Sequence, residues 1–180
     1  MKIYLDTCIL THLVDGRWDL QDSELIKKIW EIKTVSFWAS NKTLEEINNI
    51  PDEEFRKKVM AEYNKVNKTP SIPSLSTSLS KFGSSSSTQD PDLTELIELL
   101  KTEYPRRKVL SVIENSRGKM ITNDAYHIYY ARMANCDAFL TGDRRTIIKR
   151  YEKNKNEFNL IIGNMKIVDP PTLLNLLIAS

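Results

Sequence analysis

Several residue types are scarce in this chain: its 180 residues include two cysteines, two histidines, five glycines and seven prolines. Cys8 and Cys136 lie far apart without CxxC spacing, which argues against a disulfide framework, a redox module or a zinc module and suits a reducing compartment. His12 and His127 are too few for a histidine-rich metal site. No apolar run approaches the roughly 20 residues needed to cross a bilayer, and Asp6 arrives before a signal-peptide core could form, so a soluble, cytoplasmic protein is expected. Charge of one sign is lacking as well. With 26 basic and 24 acidic residues the formal net charge is +2, which excludes a chain that holds nucleic acid by bulk charge and leaves only a local patch for a polyanion. Apolar material is plentiful, at 41% hydrophobic residues, enough for one sizeable core. A single domain over residues 1–180 is the expectation.

Periodicity orders the chain. Residues 2–5 read as a strand and 9–14 as a helix broken at Gly16, which leaves Asp6 at the strand's carboxyl end. Leu25, Ile26, Ile29, Trp30 and Ile32 recur at helical spacing, and the β-branched and aromatic stretch 34–39 predicts a second strand. Ser40 or Asn41 caps a helix over 42–50 that Pro51 stops, and Asp52 opens another to about Val66. Residues 71–92 differ in kind. Nine of these twenty-two are serine, with almost nothing to bury, which predicts a flexible insertion or lid. Helical spacing resumes at Leu93, Leu96, Ile97, Leu99 and Leu100, and a further helix is predicted over 106–116. The last third predicts a helix at 124–135, a strand at 138–141, a helix at 144–151, strand-like runs at 160–162 and 165–168, and a closing helix at 172–178. Short apolar strands alternating with helices imply an α/β fold whose parallel sheet is covered on both faces. In such sheets ligands collect beyond the carboxyl ends of the strands, where Asp6 and Asp143 fall.

Four acids are each tied to an apolar element: Asp6 after the first strand, Glu46 in the helix after the second, Asp124 at the start of a helix, and Asp143 after the strand at 138–141. A step of 100° per residue puts Leu44, Ile47 and Ile50 on one arc with Glu46 at its edge and Glu45 nearly opposite; a one-residue shift of the helix would exchange the two, so Glu45 remains a rival. Asp124 shares a face with Ile128 and Ala131, near the helix's positive end. Two carboxylates about 4 Å apart repel by roughly 4 kcal/mol at an effective dielectric near 20, so a cluster of four requires something positive. Oxygen ligands without Cys or His pairs point to a hard cation, Mg²⁺ or Mn²⁺, that shares its coordination with substrate phosphate. The chemistry this implies is phosphodiester hydrolysis. Taken singly, each acid is more readily read as a cap or a solvated loop residue, and only the combination points to a site.

The strings Ile3-Tyr4-Leu5-Asp6-Thr7, Thr43-Leu44-Glu45-Glu46-Ile47, Asn123-Asp124-Ala125-Tyr126-His127 and Phe139-Leu140-Thr141-Gly142-Asp143-Arg144-Arg145 resemble those of a PIN domain. The closing Lys166-Ile167-Val168-Asp169-Pro170-Pro171-Thr172-Leu173-Leu174 is similar to its last strand and helix, so residues 1–50 and 119–180 are covered. The resemblance implies a three-layer α/β/α sandwich with a central, mostly parallel sheet. It further implies a metal-dependent endoribonuclease in which Asp6, Glu46, Asp124 and Asp143 are catalytic and hold Mg²⁺ or Mn²⁺, with Thr7 and Thr141 orienting carboxylates or waters or serving as turn and cap hydroxyls. Many members are VapC-like toxins, so RNA, an antitoxin protein and a homodimer are the implied partners. The chain departs from the compact toxin pattern by a helical and Ser-rich stretch of about 51–118, read as an insertion.

Arg144, Arg145 and Lys149, with Arg150, follow Asp143 and are candidate RNA-phosphate contacts or a solvated surface; Arg106, Arg107 and Lys108 form a second cluster. Trp18, Trp30 and Trp38 are assigned to core packing rather than base stacking. His127, one turn from Asp124, is read as a structural ring that could also hydrogen-bond a carboxylate. Cys8 is read as a buried side chain, not a nucleophile. A phosphatase of the haloacid-dehalogenase kind would need a second acid where Cys8 stands. The rival class is a PIN-like scaffold that binds RNA or protein without cutting.

Overall fold

The computed structural model describes residues 1–16, 20–69, 91–101 and 116–179. Strand β1 (Lys2–Leu5) leads into α1 (Thr7–Asp15), which Gly16 ends in the left-handed conformation at φ 60°, its amide closing on the His12 carbonyl. Helix α2 (Leu20–Trp30) precedes β2 (Ser36–Ala39) and α3 (Asn41–Asn48). Ser40 caps α3 by accepting from the Lys42 amide, and Asp52 caps α4 (Glu53–Lys65) by accepting from Phe55. After β3 (Asn67–Lys68) come α5 (Pro91–Lys101), α6 (Ser116–Met133) and β4 (Ala138–Leu140). A π-helical turn (Arg144–Ile148) continues into α7 (Lys149–Lys153), followed by α8 (Lys155–Ile162), β5 (Lys166–Val168) and α9 (Pro170–Ile178).

All five strands run parallel, in the order β3-β2-β1-β4-β5. Because side chains alternate along each strand, the register that aligns Tyr4 with Trp38 and Phe139 puts these three and Ile167 toward α5, α6 and α8. Ile3, Leu5, Ala138, Leu140 and Val168 face the opposite layer, built from α1, α2, α4 and α9. The result is the expected three-layer α/β/α architecture. Each fully buried Leu, Ile or Phe contributes about 1.5–3 kcal/mol relative to exposure, and both faces of the central strands carry such residues.

Three expectations change. Residues 160–162 are helical: Phe158, Ile161 and Ile162 are buried at the i, i+3, i+4 spacing of a helix face while Leu160 is 84% exposed, so the apolar triplet was a helix edge that imitated a strand. Asp124 does not open a helix, since α6 begins at Ser116 and places it well inside, away from the helix's positive end. Arg150 is no surface cation, being 4% exposed. Strand β3, two polar residues at the sheet edge, has no apolar pattern to announce it. Within the stretch read as an insertion, α4 buries Val59 and Tyr63 and α5 packs on α6. The predicted flexible segment 71–92, up to Asp90, lies outside the described residues, as do Trp18, the Arg106-Arg107-Lys108 cluster and residues 106–115 of the predicted helix. Trp30 stacks on Phe37 at 4.6 Å between centroids, and Trp38 is half-buried, with the Lys2 ammonium over its ring. Among the described residues no helix is long and apolar enough to cross a membrane.

The strand order reverses at β1: the chain first adds β2 and β3 on one side, then crosses to add β4 and β5 on the other. Crossovers leaving β1 and β4 in opposite directions open a crevice beyond their carboxyl ends. A cavity of about 830 Å³ lies at the other end of the sheet, where Met1, Asp137 and Lys166 line it.

Candidate active site

Asp6 occupies the N-cap position of α1, yet its carboxylate makes no capping bond. Oδ2 instead accepts from the Thr141 hydroxyl at 2.6 Å and the Cys8 thiol at 3.1 Å. The backbone explains the turn inward: the Asp6 amide donates to the Leu140 carbonyl at 3.0 Å, extending the β1–β4 pairing by one residue and bringing position 6 beside position 141. Thr141 also accepts from the Asp143 amide at 3.1 Å, and Gly142 N–H points at the Cys8 sulfur at 3.3 Å. Burial first, then the nearby Asp6 charge, pushes the Cys8 thiol well above its usual range, so it stands as a donor to Asp6 rather than a nucleophile.

Glu46 lies on the inner side of α3. It accepts from the Thr7 hydroxyl, from Asn123 Nδ2 at 2.8 Å and from His127 Nε2 at 3.0 Å. Burial raises its pKa, but the hydrogen bond from His127, the charge that ring carries when protonated, and the bonds from Thr7 and Asn123 outweigh it and leave the carboxyl below the ordinary value. Glu45, 57% exposed, pairs with Lys42 at 2.9 Å on the solvent side, so the helix phase separates the two rivals. Because Ile47 belongs to one core layer and α6 to the other, Glu46 spans the two layers across the end of the sheet.

Asp143 caps the π-helical turn, accepting from the Thr146 amide at 2.7 Å. Asp124 feels all three other acids. Its pKa is raised well above the usual range by burial first and then by the charges of Asp6, Asp143 and Glu46, with Arg150 opposing. Asp6, Glu46 and Asp143, from three separate segments, therefore all lie near enough to Asp124 to act on it at the crevice. Among the described residues, however, no three His, Cys, Asp or Glu side chains already close on a point that could hold a metal ion. The reason is visible in the bonds: Asp6, Glu46 and Asp143 are each turned to internal donors. The donor chemistry fits a hard cation, whose entry would compete with these bonds.

No family model matches the chain, and no curated protein matches it. Among solved structures it is similar to the VapBC2 complex of Rickettsia felis bound to a DNA fragment from its promoter, at 16% identity and a TM-score of 0.44 over 94% of this chain and 98% of that one. That likeness is too slight to carry an assignment. The functional reading rests on the crevice itself.

The basic residues after Asp143 divide. Arg144 is held on two sides, by Asp169 at 2.8 Å and Asp22 at 3.0 Å. Arg145 and Lys149 are exposed. The residues that sequence reasoning left without a role here are Asn123, Ser40 and Tyr4. Asn123 adjoins Asp124, but nothing in one sequence marks its amide as a partner of a glutamate 77 positions away.

Proposed function

We propose that this protein is a PIN-type endoribonuclease that depends on Mg²⁺ or Mn²⁺ and hydrolyses phosphodiester bonds in RNA. What supports the reading is that Asp124 lies in the combined field of Asp6, Glu46 and Asp143 at the crevice where the sheet order reverses. A divalent cation bound by these carboxylates would neutralise their repulsion, activate water and offset the charge that develops on the phosphate. The chain's own groups supply the rest. Thr141 and Cys8 orient Asp6, Thr7 and Asn123 orient Glu46, and the exposed Arg145 and Lys149, two and six residues past Asp143, provide phosphate contacts. The same reading carries an antitoxin protein as partner and a homodimer as assembly; an antitoxin-like reading frame beside this gene would support it.

One observation favours a second reading, a scaffold that binds RNA or protein without cutting: three of the four carboxylates are already satisfied by internal donors. Cleavage separates the two. Full-length protein is incubated with labelled single-stranded RNA and Mn²⁺ or Mg²⁺, with and without chelator. Asp6→Asn and Asp124→Asn are expected to lose at least a hundredfold in rate, while the exposed Glu45→Gln stays within twofold of wild type. Cleavage that survives chelation, or acid variants as active as wild type, rejects the nuclease.

A further inference from the structure

Glu46 accepts at both oxygens, from Asn123 at Oε1 and from Thr7 and His127 at Oε2. A carboxylate has no proton to give, so the His127 Nε2 that faces it at 3.0 Å carries one. In a neutral imidazole Nδ1 is then an acceptor, and the Tyr4 hydroxyl 2.8 Å away is its donor. Tyr4 has a single hydroxyl proton. With that proton committed to His127, its oxygen accepts from Ser40 Oγ at 2.6 Å. Ser40 is free to give that proton because its oxygen accepts from the Lys42 amide at 3.2 Å. For a neutral His127 each junction thus fixes the next, and the bonds run one way, from Ser40 through Tyr4 and His127 to Glu46.

The seclusion of this chain matters as much as its direction. Tyr4 is 0% exposed and Ser40 and His127 each 1%, so water does not compete at the two junctions that Tyr4 makes, while the Glu46 end opens toward the crevice. The Tyr4 ring also stacks on Phe139 at 5.6 Å, which holds the phenol in register with the strand next to it.

We propose that Tyr4 and His127 are positioning residues that act through Glu46, holding its carboxylate in one orientation at the crevice by this one-way relay; the catalytic consequence rests on the ribonuclease reading above. The relay is tested first without turnover. In full-length protein with ¹⁵N-labelled histidine, in chelator at pH 8, with His12→Asn used to assign the two rings, His127 is expected to show protonated Nε2 and bare Nδ1. Because Glu46 itself sets the Nε2 proton, Tyr4→Phe is expected to keep that tautomer and to shift the Nδ1 signal as that nitrogen loses its donor. An Nδ1–H ring, an imidazolium, or no response to Tyr4→Phe would overturn the relay. In the cleavage assay Tyr4→Phe and His127→Leu are each expected to lower kcat about tenfold or more at unchanged KM for RNA. His127→Gln, which keeps a donor, is expected to recover part of the loss. The double variant Tyr4→Phe/His127→Leu is expected to be no slower than His127→Leu alone. Additive losses, or a change in KM alone, would reduce both residues to core packing and reject the proposal. A wild type that shows the histidine signature and cuts no RNA would remove the ribonuclease reading while supporting the relay.

Discussion

Burial first, and then the fields of Asp6, Asp143 and Glu46, hold the Asp124 carboxyl above the ordinary range. The folded state therefore binds this proton more tightly than the unfolded chain, so stability falls as pH climbs from the unfolded pKa near 4 through the raised value. Glu46 has the opposite sign: its lowered pKa contributes stability above the unfolded value, lost as pH falls through the folded one. Asp124→Asn isolates the first effect. In chelator at pH 7.5 this variant is expected to melt higher than wild type by about 1–2 kcal/mol, a few degrees, with the difference closing toward pH 4. Equal melting points across that range would show that Asp124 is not under the strain described. At this scale the acids were legible as candidates, Asp6 and Asp143 at strand ends and Glu46 at the edge of an apolar arc, whereas Asp124 was singled out at a helix start that the structure moves to Ser116. Their partners were not. Tyr4 read as part of an apolar strand and Ser40 as one of two candidate caps, and only the sheet brings the Tyr4 hydroxyl to His127, 123 positions away.

Among the elements, the π-helical turn after β4 separates two uses of neighbouring cations. Arg144 ties that turn to α2 through Asp22 and to the start of α9 through Asp169, and Asp22 is 8% exposed at its side chain. Removing the guanidinium leaves a buried carboxylate without this partner, although the exposed half of Arg144 limits the effect. Arg144→Ala is expected to lower stability by about 1–2 kcal/mol in thermal melts. Arg145→Ala/Lys149→Ala is expected to lower the melting point less than Arg144→Ala does and to weaken RNA binding, reducing the slope of log affinity against log salt by about 0.7 per lost phosphate contact. The opposite pattern would exchange the roles. From sequence the four basic residues after Asp143 formed one cluster, since a charge run does not reveal which members find acids on distant helices. Residues 160–162 misled for a related reason: a short apolar triplet fits either period, and only Phe158 one turn earlier resolves it as a helix.

For the whole molecule, alternation of strands and helices was enough to give a parallel sheet with two covered faces. The order β3-β2-β1-β4-β5 was not encoded in any spacing, yet it is what sets Asp6 beside Thr141 and creates the crevice. A carboxylate cluster assembled only on folding should bind a divalent ion in the native state and not in the unfolded one. Mn²⁺ at a hundredfold excess over its Kd is expected to add about 2.7 kcal/mol to wild-type stability, with little gain in Asp124→Asn; a melting point indifferent to Mn²⁺ would argue for the scaffold. Ser40 has a last consequence. Its oxygen receives the amide of Lys42, the second residue of α3, and its proton starts the path that ends on a side chain of that same helix. The loop leaves α3 through β1, returns by way of α6, and closes on itself. Fraying at the first turn and misalignment of Glu46 are therefore a single event, so the rate at which the Lys42 amide trades its hydrogen for deuterium becomes a remote gauge of whether the crevice is armed.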